Sequence, residues 1–193
     1  PVFALISHQR EVLGRSGGAR WLPGLARLAW LTTLRLPARI GAFTTEPEMP
    51  RSKARRLDRA SQFAVVAVTR CLAEAGWTMT GHEDETGILL GTGSAGASPL
   101  VELERQMAVE SPEAASPFLF PCTVANAPAS IAAIELKIKG PNVTITQKDP
   151  AGLNALFYGR LLVSDGRARA IVVGAVDEWN LTYHLTYERL GVL

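Results

Sequence analysis

Apolar residues recur at different spacings along the chain, and each spacing predicts a different element. Between 53 and 75, Leu57, Ala60, Phe63, Ala64, Ala67 and Cys71 fall on one stripe. That spacing predicts a helix from about Lys53 to Ala75, with Gly76 where a C-terminal cap belongs. Trp21 to Leu36 repeats the spacing with arginines between, so a second amphipathic helix is expected there, ended by Pro37 and Gly41. Gly87 to Gly91 is short, apolar and bounded by glycine, which predicts a buried strand. Ala168 to Val176 is almost uninterrupted and rich in β-branched residues, the mark of a strand covered on both faces. A third strand is read at Val143 to Thr146. Helices are expected over Pro99 to Ala108, Ala129 to Leu136 (broken by Gly140-Pro141), Pro150 to Val163 (ended by Gly166) and Asn180 to Leu190. Ser111 to Pro128, with four prolines, reads as a long loop. Strands alternating with helices predict an α/β domain whose mostly parallel sheet is covered by helices.

Composition narrows the class. At 193 residues, 47% apolar and 20% charged, the chain is one ordinary domain or half of a larger one. Cys71 and Cys122 are its only cysteines, and no CxxC or Cys/His ligand spacing occurs. Neither a disulfide framework nor a metal site is expected, and a reducing, cytoplasmic setting fits best. Arginines break the longest apolar stretch, Leu22 to Leu36, so no membrane span is expected. The chain begins at Pro1, which leaves a processed or trimmed N-terminus open.

Charge is unevenly placed. Residues 1–60 carry eleven Lys/Arg against four Asp/Glu, and residues 61–193 carry nine against fourteen, giving +2 in all. A basic N-terminal third suits an acidic partner, a carrier protein or nucleic acid, unless it is simply a solvated face.

Three patterns bear on chemistry. Gly91, Gly93 and Gly96 spell GxGxxG between a strand and a helix. A dinucleotide site would need a second strand ending in an acid about 20 residues on, where this chain enters a proline-rich loop. Tight turning is the simpler use of these glycines. Val143 to Thr146 then feeds a turn, Gln147-Lys148-Asp149-Pro150, in which Asp149 can cap a helix starting at Pro150. Lys148 can pair with Asp149 or be solvated. Cys122, in the loop, reads as a small packed thiol, and Phe118 and Phe120 read as core. His8, His82 and His184 read as surface or satisfied histidines.

Taken in order, several segments resemble the β-ketoacyl-acyl carrier protein synthases, which share the thiolase fold. They are Arg51 to Gln62, Gly91-Thr92-Gly93, Ser116 to Asn126, Gly140-Pro141-Asn142, Gly174 to Glu178 and Tyr187 to Gly191. The resemblance covers 38–193 and implies the N-terminal half of a thiolase-like fold, with residues 1–37 an uncertain segment. In that family a cysteine nucleophile stands at the position of Asp149, and two catalytic histidines lie in the C-terminal half. Neither feature has a match here. A thiolate accepts an acyl group from a thioester, whereas a carboxylate would form a high-energy anhydride.

The closest resemblance is to non-catalytic chain-length factors of type II polyketide systems, including shortened ones paired with aryl-polyene ketosynthases. It implies no catalytic residue and no cofactor, and it implies a catalytic ketosynthase and an acyl carrier protein as partners. It places Phe118, Phe120, Cys122, Asn126, Thr144 and Thr146 at the partner's acyl tunnel or the two-fold interface. Arg51, Lys53, Arg55, Arg56 and Arg59 become docking cations for the carrier. A split condensing enzyme and a non-enzymatic half-thiolase scaffold stay open as alternatives.

Overall fold

The computed structural model describes the backbone of Val2–Ala4 and residues 49–192. His8, the helix expected over Trp21 to Leu36 and the segment 1–37 apart from Val2–Ala4 lie outside the described residues. Two compact units divide the chain, one holding Pro1–Ser7 and Pro47–Glu178, the other His8–Glu46 and Trp179–Leu193.

The first unit runs β1 (Val2–Ala4), α1 (Arg51–Ala54), α2 (Arg59–Glu74), β2 (Thr86–Gly91), α3 (Ala97–Val109), α4 (Ala127–Leu136), β3 (Asn142–Ile145), α5 (Ala151–Ser164) and β4 (Ala170–Ala175). Its four-stranded sheet has the order β1-β4-β2-β3, and every pairing is parallel. Ile88 sits opposite Val172, and Leu89 opposite Val143 and Val173.

Alternation along the central strands sorts their side chains into two cores. Ile88, Leu90 and Val172 pack with Val68 and Leu72 of α2 and Ala129, Ala132 and Ala133 of α4. Leu89, Ile171 and Val173 pack with Ala155 of α5. β2 is buried at every position and β4 at all but its last, as their apolar runs require. β3, at the sheet edge, is exposed at Asn142 and Val143.

Boundaries differ from the sequence pattern where local hydrogen bonds intervene. The helix expected from Lys53 to Ala75 is two helices. Asp58 follows the first and caps the second, its carboxylate accepting from the Ser61 N–H at 3.2 Å. Gly76 does take the left-handed cap conformation (φ +62°), with Trp77 N–H reaching back to the Leu72 carbonyl at 3.0 Å. The helix over 127–136 stops before Gly140, because Lys137 itself turns left-handed (φ +58°). The 111–128 loop holds two single 3-10 turns, Pro112–Ala114 and Phe120–Cys122. In the second unit, Asn180 caps α6 (Leu181–Arg189) by accepting from the Thr182 and Tyr183 N–H groups.

Candidate functional site

The C-terminal ends of β2, β3 and β4 meet at one edge of the sheet, the usual place for a site in a parallel α/β fold. Three segments converge there: the glycine turn after β2, the turn Gln147–Pro150 after β3, and Val176 to Glu178 after β4. Val176 N–H donates to the Gly91 carbonyl at 3.0 Å, and Thr92 N–H to the Ile145 carbonyl at 2.9 Å.

Backbone crowding explains the glycines. A Cβ on Gly91 would stand 2.4 Å from the Ala151 carbonyl carbon and 2.5 Å from its oxygen. One on Gly96 would meet the Thr123 carbonyl oxygen at 2.6 Å, and Gly96 also has φ +86°. These glycines admit the start of α5 and the 111–128 loop, so the packing reading of GxGxxG holds. The anion cradle that such a turn builds is already filled from within. Asp177 accepts from the Gly93 N–H at 3.0 Å, the Ser94 N–H at 2.7 Å, and the Thr92 and Ser94 hydroxyls at 2.8 Å each. A phosphate would have to displace a carboxylate held by four donors.

The neighbouring turn is built differently. Lys148 is left-handed (φ +52°), and its Cα lies 3.2 Å from where a Gly93 Cβ would stand. Ala151 N–H closes the turn on the Lys148 carbonyl at 3.0 Å. Asp149 is exposed and does not cap α5. The helix starts at Ala151 with Pro150 in the cap position and no side-chain cap bond. The expected Asp149 cap is therefore corrected. Because Pro150 is already in the right-handed region, it takes the flanking place that Asp149 would have needed.

Neither thiol approaches this turn's chemistry. Cys122 is buried, and burial, reinforced by the Asp58 charge, pushes its thiol above the usual range. Burial also raises Cys71, with Glu74 adding to the effect. Both are poor thiolates at neutral pH, and Cys122 is the packed residue that its sequence context suggests. His82 lies before β2, away from the site edge, with Nδ1 3.1 Å from Glu85. His184, in the second unit, is buried against Trp179 at 5.8 Å between ring centroids. Among the described residues, no group of three or more His, Cys, Asp or Glu could hold a metal, and no helix is long and apolar enough to cross a membrane.

Other predicted positions divide between surfaces. Phe118 and Phe120 are 87% and 65% exposed, which corrects the expectation that they are core. The 3-10 turn anchors itself through Cys122 instead and leaves both rings outside. Asn126 is exposed just before α4. Thr146 is exposed beyond β3, while Thr144 Oγ1 is buried without a partner. Among the cations, Lys53 pairs with Glu135 of α4 at 2.5 Å, and Arg59 lies over the Phe63 ring at 5.0 Å. Arg51, Arg55 and Arg56 are exposed around α1.

The sequence pattern did not single out the role of three acids. Asp177 closes the glycine turn, and Asp58 caps α2. Glu178 is more than half buried, and burial raises its carboxyl above the usual range. Asp58 and Asp177 push the same way, against a Ser98 hydrogen bond and Arg59. The Asp58 cap was readable, since an Asp stands immediately before a basic, alanine-rich helix start. The Asp177 closure spans more than 80 residues and had no local signal.

Comparison with known proteins places this edge in context. A model of the beta-ketoacyl synthase N-terminal domain matches residues 34–189. The 3-oxoacyl-[acyl-carrier-protein] synthase 2 of Synechocystis sp. (strain ATCC 27184 / PCC 6803 / Kazusa) is 33% identical over 130 residues, covering 67% of this chain and 31% of that protein. Among solved structures, the ishigamide ketosynthase/chain length factor matches with a TM-score of 0.66 and 27% identity, over 80% of this chain and 45% of that one. A type II PKS ketosynthase bound to the hexaketide, in complex with its acyl-carrier protein, matches with a TM-score of 0.70 over 88% of this chain and 50% of that one. At 18% identity it shows the fold alone. The chain thus spans about a third of the length of that sequence relative and about half of the solved structures.

Proposed function

The chain belongs to the β-ketoacyl synthase N-terminal-domain family, and from that premise we propose that it is a non-catalytic, chain-length-factor-like subunit. It would pair with a catalytic ketosynthase in fatty acid or polyketide synthesis and shape that partner's acyl tunnel. The observation that carries this reading is Asp149. The turn after β3 keeps a left-handed residue and a following helix start, and it presents an exposed carboxylate where the family's thiol belongs. Both described thiols are elsewhere and held protonated. With no thiolate to accept an acyl group, the turn has kept its shape without its covalent chemistry.

Surface chemistry supports a partnered role. Phe118 and Phe120 present two aromatic rings outward from a loop that is anchored by buried Cys122. Bulk of that kind at the closed end of a tunnel limits chain growth, because each methylene left unburied forfeits about 0.8 kcal/mol. The open edge of β3, exposed at Asn142 and Val143, supports a subunit contact near Thr144 and Thr146. Arg51, Arg55 and Arg56 are the cations best placed to attract an acidic carrier protein, since Lys53 and Arg59 are already engaged.

Intact-mass spectrometry after incubation with acyl-carrier thioester and malonyl thioester tests the reading, with and without a catalytic ketosynthase from the same genome. The expected result is no acyl adduct on this chain in either case. Longer products are expected from the pair when Phe118→Ala and Phe120→Ala are introduced. An adduct on this chain would instead make it one part of a split condensing enzyme.

A further inference from the structure

We draw no further inference here: the strongest candidate, the cleft of about 440 Å³ between the end of α4 and the start of β3, lined by Ile134, Lys137, Lys139 and Asn142, belongs to the β3 edge already proposed as a subunit contact, and nothing in the structure shows what else covers it.

Discussion

Two turns stand side by side at the same sheet edge, and they differ in nearly every respect. The glycine turn after β2 is saturated. Its amides and hydroxyls converge on Asp177, and its glycines touch the backbone of neighbouring segments. The turn after β3 offers Asp149 to solvent, uses no cap, and holds Lys148 in a left-handed conformation that a side chain makes unfavourable. The saturated turn is part of how the fold closes. The other turn leaves its acid, Asp149, in solvent without a cap bond. Two turns at one sheet edge can thus differ in whether an acid is used to close the fold.

The contrast can be broken at four points. The largest effect is expected at Gly91→Val, because its Cβ would overlap the Ala151 carbonyl and neither backbone can yield. A loss of at least about 3 kcal/mol is expected, read as failure to accumulate folded protein or as a collapsed urea midpoint. Asp177→Ala comes next. It strands the Gly93 and Ser94 N–H groups, and a loss of about 2 kcal/mol is expected in urea unfolding. If that variant is as stable as the parent, water replaces the carboxylate and the turn is not closed from within.

Glu178→Gln sharpens the comparison through pH. The Glu178 carboxyl is raised in the folded chain, so the folded state holds a proton that the unfolded state has lost. Stability is then fully present below about 4.5, its ordinary value, and falls as pH rises through the raised value. Removing the ionisation should flatten that decline and raise Tm by a few degrees at neutral pH. A thermal melt series from acid to neutral pH reads it, and parallel curves for parent and variant would contradict it. The smallest effect is expected at Asp149→Ala, within about 0.5 kcal/mol, because an exposed group without a cap bond holds nothing together. A loss nearer 1 kcal/mol would mean that it caps α5 after all.

Much of this was legible in the residues. The buried strands β2 and β4 announced themselves by unbroken apolar runs, and Gly76 marked the end of α2. The glycine turn and the packed Cys122 were also visible. The failures share a physical cause. Phe118 and Phe120 look like core residues because aromatic rings usually are, but exposure is decided by which neighbour the loop rests on. Asp149-Pro150 has the sequence of a favoured helix start, and the cap was lost because closing the turn on Lys148 set the helix one residue later. Asp177 meets its partners across more than 80 residues, and no local pattern encodes such a meeting.

The hydrogen- and methyl-sized contacts beneath α5 have a mechanical consequence. With Gly159 against Val173 and Ala155 fully enclosed, no compressible layer separates this helix from the strands. A shift of its outer ridge is therefore expected to move β4 with it. From there it reaches the carboxylate that pins the glycine turn, two residues past the strand's end.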